Sequence, residues 1–111
     1  MRKLIICVLL FLLGSGEGSM LRATKSSATV FLKALQMNIW KGGSGVEGAV
    51  DMIADEIIHS GADVVFLNEL SDYKGENFIL HMIKELKQRG HTFYGTETSL
   101  SVGILTRYPI E

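Results

Sequence analysis

The chain has 111 residues, of which 47% are hydrophobic, and its formal net charge is -1 at pH 7. This length allows one small domain, and the balanced charge gives no basic field of the kind that attracts nucleic acid. A single cysteine, Cys7, excludes an intrachain disulfide. Fold and function must therefore be inferred from the order of the predicted elements and from motifs.

The N-terminus has the layout of a secretory signal peptide. Two cations precede an unbroken apolar run from Leu4 to Leu13, and small residues follow it. The run is about half as long as a bilayer span requires. We predict that residues 1–19 are a signal peptide and that the protein is exported, secreted or periplasmic, without a stable membrane span after cleavage. The alternative is a buried N-terminal strand or helix.

A polar segment follows, and we predict that residues 20–28 form a linker ahead of a domain at 29–111. The domain begins with TVFLKALQMNI at 29–39, which is β-branched and apolar with partial alternation. This pattern predicts a buried strand.

The first predicted helix comes after WKGG, which is predicted as a loop. Ser44 and Glu47 have the spacing of an S-x-x-E capping box, and Gly61 is placed to end the helix. Between them, apolar residues recur at steps of three and four, which predicts one continuous inward face. Its members are Val46, Ala49, Val50, Ile53, Ala54, Ile57 and Ile58.

The rest of the domain alternates in the same way. ADVVFLNEL at 62–70 is almost entirely apolar and predicts a strand buried on both faces. Two further strands are predicted at 91–95 and 101–108. A second helix is predicted from Asn77 to Arg89, with these residues inward: Phe78, Ile79, Met82, Ile83 and Leu86. The order strand, helix, strand, helix, strand, strand is typical of an α/β or α+β layered domain.

The stretch GSGVEG places Gly43, Gly45 and Gly48 in the pattern G-x-G-x-x-G, and Glu69 follows about twenty residues later. Dinucleotide-binding proteins carry this pattern where the first glycine turns directly off a strand. Here a tryptophan and a lysine stand where that turn would be, and export argues against a nicotinamide cofactor. A small nucleotide-binding α/β protein that uses these glycines is therefore kept as an alternative.

Polar residues end both buried strands. Asn38 ends the first predicted strand, and Glu69 ends the second. Because the carboxyl ends of neighbouring strands in an α/β sheet lie on one rim, the carboxamide and the carboxylate are expected to face each other. Both are hard oxygen donors suited to Mg²⁺ or Ca²⁺. The sequence therefore predicts a metal site at this rim.

Three segments together carry a family resemblance. LKALQMNIWKGG, SGADVVFLNEL and VGILTRYPIE resemble the N-terminal part of the endonuclease/exonuclease/phosphatase family, over roughly residues 30–111. This family comprises metal-dependent phosphoesterases related to deoxyribonuclease and sphingomyelinase. By position, Asn38 matches the asparagine at the end of the family's first strand, and Glu69 matches its metal-binding glutamate. Asn68 stands where many members have glutamine.

The resemblance implies a fold and an activity. The fold would be α/β (α+β), forming the N-terminal half of a four-layer α/β/β/α sandwich. The activity would be phosphoester hydrolysis, with Asn38 and Glu69 as catalytic and metal-site residues and Mg²⁺, or another cation such as Mn²⁺ or Ca²⁺, as cofactor. The substrate would be a nucleic acid, an inositol phosphate, a phospholipid or a small phosphodiester, and no protein partner is indicated.

The resemblance also implies residues that this sequence does not contain. Family members are more than twice as long as the predicted mature chain, and their later segments supply an Asp-x-Asn pair and an Asp-His pair. Neither motif occurs here, and His59, His81 and His91 are predicted to be plain surface residues. We expect the 111-residue chain to be a fragment with little or no activity alone. The alternative is a non-catalytic fragment or pseudoenzyme that acts as a binding module.

Overall fold

The computed structural model describes residues 29–98 and 101–111, together with the backbone of Cys7–Gly14. The predicted linker at 20–28 and the rest of the predicted signal peptide lie outside the described residues. Within the described part, five strands form one mixed sheet in the order β1-β2-β3-β5-β4. The strands are Cys7–Gly14 (β1), Phe31–Asn38 (β2), Val64–Asn68 (β3), Tyr94–Glu97 (β4) and Val102–Thr106 (β5).

The described part has two long helices, Ala49–Ser60 (α2) and Phe78–Gln88 (α3). A single turn at Trp40–Gly43 (α1) precedes them, and its four residues all have positive φ. From residue 29 onward, the predicted order of strands and long helices is confirmed, and the predicted WKGG loop forms the turn α1. No described helix is long and apolar enough to cross a membrane. The chain thus has the mixed α and β content that the patterns predict.

The core lies between the sheet and its two long helices. β2 and β3 are parallel, whereas β5 runs antiparallel to both β3 and β4. Alternate residues of the strands form one buried cluster with the apolar faces of α2 and α3, so both helices pack on the same face of the sheet. Its fully buried members include Leu35, Met37, Val65, Leu67, Leu105, Ile53, Ile57, Phe78, Met82 and Leu86.

The opposite face of the sheet is more open than the sequence predicts. Phe66 of β3 is 42% exposed, although its neighbours Val65 and Leu67 are fully buried. The prediction that this strand is buried on both faces is therefore wrong for Phe66. The reason is that α2 and α3 cover only the face to which Val65 and Leu67 point.

β1 lies antiparallel to β2 along its whole length, from Cys7 opposite Asn38 to Gly14 opposite Phe31. This arrangement corresponds to the N-terminal strand that was the alternative to a signal peptide. Removal of residues 1–19 after export is a question of processing, and it stays a prediction.

The predicted capping box of Ser44 and Glu47 is wrong. α2 begins at Ala49, and its N-cap is Gly48, whose φ is +75° and which makes no side-chain capping bond. The two preceding glycines of the GSGVEG stretch also have positive φ. Because left-handed residues interrupt a right-handed helix, the chain turns through this segment and the helix starts five residues after Ser44.

The other predicted helix ends are close to those observed. Gly61 ends α2 in a left-handed conformation, and its N–H donates to the carbonyl of Ile58 at 3.1 Å. Asn77 caps α3, because its side-chain oxygen accepts a hydrogen bond from the Leu80 N–H at 3.1 Å. The prediction of a helix between Asn77 and Arg89 is therefore confirmed to within one residue at each end.

Candidate functional site

Parallel pairing brings the ends of β2 and β3 to one edge of the sheet. Asn38 lies opposite Asn68 in the register, and the Ile39 N–H donates to the Asn68 carbonyl at 3.0 Å. The Asn38 Nδ2 donates to the Glu69 Oε1 at 2.9 Å. The expected meeting of carboxamide and carboxylate is therefore confirmed.

Both ends of the Asn38 amide are engaged. Because an ionised carboxylate only accepts hydrogen bonds, the amide nitrogen faces Glu69. The amide oxygen accepts a hydrogen bond from the Trp40 N–H at 3.0 Å. In this arrangement Asn38 orients the Glu69 carboxylate. Its own oxygen is less suited to act as a metal ligand, because that oxygen already accepts a hydrogen bond from Trp40.

The Glu69 backbone is held in a rare conformation. Its φ is +61°, in the left-handed region that residues with a side chain seldom adopt. Its carbonyl accepts from the Gly42 N–H at 2.8 Å, and the next residue, Leu70, donates to the Ser101 carbonyl at 3.0 Å. Such a conformation costs about 1–3 kcal/mol and persists only where the surroundings fix it. Hydrogen bonds on both sides of Glu69 do so here.

The α1 turn shares this strain. Trp40 and Lys41 have φ values of +41° and +54°. With Glu69 and Ser101, four of the five described non-glycine residues with positive φ lie at this edge. The turn also packs closely on the segment after Glu69, because a Cβ on Gly42 would lie 3.0 Å from the Ser71 carbonyl oxygen. Strained backbone concentrates at functional sites, which directs attention to this edge of the sheet.

The donors at this edge suit one kind of metal. Glu69 is exposed, and its carboxylate accepts one hydrogen bond from Asn38. The described residues contain no group of three or more histidine, cysteine or acidic side chains that could enclose a metal. Mg²⁺ commonly binds through one or two carboxylates and takes its other ligands from water and substrate phosphate. A single oriented carboxylate therefore fits Mg²⁺ better than a closed Ca²⁺ cage.

A polar cavity of about 430 Å³ lies beside the glycine-rich segment. It is within the range of small-molecule pockets, about 300–1,000 Å³. Its opposite wall includes Asp72, Tyr73 and Lys74 together with His81 and Glu85. The cavity is therefore the place where a nucleotide would have to bind if the glycine pattern served that purpose.

Packing explains why glycine is needed at position 43 of this segment. Gly43 is the last residue of the α1 turn and comes five residues after the end of β2 at Asn38, so the first glycine does not leave the strand directly. A Cβ on Gly43 would lie 2.5 Å from the Ala49 Cβ, at the start of α2. Close packing of the segment on the helix thus accounts for Gly43 without a ligand.

The prediction that His81 is a plain surface residue is wrong. Only 18% of its side chain is exposed, and its two ring nitrogens lie 3.3 Å from Glu76 Oε2 and 3.5 Å from Glu85 Oε1. The i, i+4 spacing to Glu85 is visible in the sequence, but the contact with Glu76 depends on a turn before α3. His59, by contrast, is exposed as predicted.

No protein-family model, curated protein or solved structure matches the chain. The family resemblance therefore rests on the three sequence segments, and any functional proposal must rest on the geometry at the strand ends.

Proposed function

We propose that Asn38 and Glu69 belong to the site of an exported, divalent-metal-dependent phosphoester hydrolase of the phosphodiesterase, endonuclease or phosphatase type. One observation carries the proposal: the 2.9 Å hydrogen bond that joins the two side chains across the ends of parallel strands. The left-handed backbone of Glu69 supports it, because a strained residue without a role would be costly to keep.

The two residues have different roles in this proposal. Glu69 offers its carboxylate as the protein ligand of Mg²⁺, or of Mn²⁺ or Ca²⁺. Asn38 fixes the carboxylate through its Nδ2, and the Trp40 N–H fixes Asn38 in turn. When bound, the cation supplies Lewis-acid stabilisation of charge on a phosphoryl oxygen. The substrate would be a nucleic acid, inositol phosphate, phospholipid or small phosphodiester.

The sheet supports a finer proposal about the fold. We propose that it is the N-terminal half of a four-layer α/β/β/α sandwich, in which a second sheet packs on the face opposite α2 and α3. That face carries Phe66 and Tyr94, each 42% exposed. Its residues alternate with the buried ones, as the inner face of a sandwich requires.

The proposed site is incomplete within these 111 residues, because the Asp-x-Asn and Asp-His pairs that the resemblance implies do not occur in them. Residues of a catalytic unit act together, and loss of one removes most of the rate. We therefore expect little or no hydrolysis by this chain alone. A pseudoenzyme that retains metal binding without turnover is the competing proposal.

Metal binding is the direct test, because it does not depend on turnover. Mn²⁺, a paramagnetic substitute for Mg²⁺, should broaden the amide resonances around Asn38 and Glu69 at low occupancy. Glu69→Gln keeps the shape but removes the charge, and it should abolish this broadening. Asn38→Ala should weaken Mn²⁺ binding by about tenfold or more, as loss of a ligand-orienting partner does.

The matched control is Glu47→Gln, which removes a carboxylate from an exposed position in the glycine-rich segment. It should leave the broadening at the strand ends unchanged. Broadening that is spread evenly over the acidic surface, or that survives Glu69→Gln, would contradict the proposal. In a protein that also carries the two later motifs, Glu69→Gln should eliminate Mg²⁺-dependent hydrolysis.

The cavity beside the glycine-rich segment favours one alternative function, nucleotide binding through Gly43, Gly45 and Gly48. The structural reasons for Gly43 weaken this alternative. Titration with a nicotinamide dinucleotide decides it. Saturable shifts confined to the cavity residues would support nucleotide binding, and their absence at millimolar ligand would end it.

A further inference from the structure

A tight hairpin precedes α3 and forms part of the cavity wall. The N–H of Tyr73 donates to the Glu76 carbonyl at 2.9 Å, and the N–H of Glu76 donates back to the Tyr73 carbonyl at 3.0 Å. The two residues between them, Lys74 and Gly75, have φ values of +53° and +79°. Positive φ at both central residues is the requirement of a type I′ turn. We call residues 73–76 the 73–76 hairpin.

His81 contacts both ends of the 73–76 hairpin from α3. Its Nδ1 lies 3.3 Å from the Glu76 Oε2, and its ring centroid lies 4.4 Å from that of Tyr73. On the other side, its Nε2 lies 3.5 Å from the Glu85 Oε1, one helical turn further on. The imidazole is thus placed between a carboxylate of the hairpin and a carboxylate of the helix.

The number of hydrogen bonds that His81 donates depends on its charge. A neutral imidazole has one N–H and donates to only one of the two carboxylates, whereas a protonated imidazole donates to both. Histidine is the side chain that ordinarily changes charge between pH 5 and 8. Glu76 remains ionised in this interval, because the Lys84 ammonium, with a smaller contribution from His81, holds the pKa of Glu76 below its usual value.

We propose that His81 is a pH-dependent clasp that joins the 73–76 hairpin to α3. When protonated, His81 connects Glu76 to Glu85 and rests on the Tyr73 ring. When neutral, it donates to only one of the two carboxylates, so the connection between Glu76 and Glu85 is lost while the ion pair of Lys84 with Glu76 remains. Because Tyr73 and Lys74 line the cavity, that wall becomes more mobile as pH rises.

Other charged groups surround His81 from each neighbouring element. Arg89 pairs with Glu85 at 2.8 Å and with Asp51 of α2 at 2.5 Å. The two acids near the interface of α2 and α3 thus each have a cationic partner. Carboxylates, lysines and arginines ordinarily keep their charge between about pH 5.5 and 7.5. The groups that line the cavity or pair next to His81 are Lys41, Asp51, Asp72, Lys74, Glu76, Lys84, Glu85 and Arg89.

Amide hydrogen exchange of the whole chain tests the clasp, since the Tyr73 and Glu76 amides form the hairpin bonds. Protection factors, which correct for the intrinsic effect of pH on exchange, should be about two- to fivefold higher at pH 5.5 than at pH 7.5. In His81→Gln, this pH dependence should disappear. In the control His59→Gln, which changes an exposed histidine of α2, it should persist.

Glu76→Gln is the second variant, in case His81→Gln unfolds the domain. It keeps His81 but weakens its bond to the hairpin, and it should flatten the same pH dependence. Equal protection of the wild-type hairpin at both pH values, or an unchanged pH ratio in either variant, overturns the clasp. The experiment uses no metal, so its failure would leave the proposal for Glu69 unaffected.

Discussion

The two faces of the sheet differ although they come from the same strands. On the helix-covered face, Leu35, Met37, Val65, Leu67 and Leu105 are fully buried. On the open face, Phe66 and Tyr94 each keep 42% of their surface exposed. Large apolar side chains thus occur on both faces, and those of the open face are less buried.

The difference in burial comes from the position of the two long helices. The covered face has its partners, because α2 and α3 contribute to one buried cluster with it. The open face has apolar residues that remain in water, and exposed apolar patches commonly mark a surface that receives another element. The strand-end site lies at the edge of the sheet, at the carboxyl ends of β2 and β3.

Neighbouring residues in β3 give the strongest test of this comparison. Leu67→Ala should cost about 2–5 kcal/mol, because it leaves a cavity in the buried cluster. Phe66→Ala removes a larger side chain from the open face and should cost about 1 kcal/mol or less. Urea denaturation of the two variants measures both values.

The slope of the unfolding free energy against urea concentration reports the surface exposed on unfolding. Comparing this slope between the two variants shows whether they unfold in the same way. The slopes should be alike in the two variants. If Phe66→Ala proves as destabilising as Leu67→Ala, the open face is covered in solution and the comparison fails.

Two glycines extend the comparison to the segment before α2. Gly43 and Gly45 have φ values of +75° and +84°, so an alanine at either position is strained. Only at Gly43 would the new Cβ also meet Ala49, at 2.5 Å, whereas nothing lies within 4 Å of the one at Gly45. Gly43→Ala should therefore cost about 2–4 kcal/mol, and Gly45→Ala about 1–2 kcal/mol. Thermal unfolding of the pair separates packing from strain, and equal costs would contradict the packing role.

Periodicity was enough to predict the long elements of the fold. The apolar positions of α2 and α3 recur at helical steps, and the strands are rich in β-branched and apolar residues. The openness of one face could not be predicted, because an apolar run looks the same whether one or both of its faces are covered. The start of α2 was also missed, since the capping pattern of Ser44 and Glu47 competes with glycines that take positive φ.

The candidate site was partly predictable for the same kind of reason. Strand ends of a parallel pair share an edge, which is sufficient to bring Asn38 and Glu69 together. The left-handed backbone of Glu69 was not predictable, since it arises from hydrogen bonds with distant residues. The clasp at His81 was missed because Glu76 reaches it only through the 73–76 hairpin.

The N-terminal segment satisfies two interpretations at once. A run of ten apolar residues after a cation pair is typical of a signal peptide. Within this segment, Cys7–Gly14 pairs with the whole of β2 as strand β1. Alternation would have distinguished a strand with one polar face, but a uniformly apolar segment contains no such pattern.

Surface charges, which lie outside both faces, should give the smallest effect. Hydrogen bonding by Lys84, with a further contribution from His81, lowers the pKa of Glu76 from its usual value of 4.5. A lowered carboxyl pKa stabilises the fold above the unfolded-state pKa, and this contribution is lost as pH falls through the folded-state pKa. Glu76→Gln lacks the contribution at every pH. The wild-type advantage in urea midpoint should therefore be present at pH 6 and shrink below about pH 4.5.

The control is Glu47→Gln, a substitution at an exposed position without the Lys84 and His81 contacts of Glu76, and it should show no such trend. A wild-type advantage in urea midpoint that is constant down to pH 3 would show that Glu76 acts through packing. The charge of Glu76 would then contribute nothing to the stability difference.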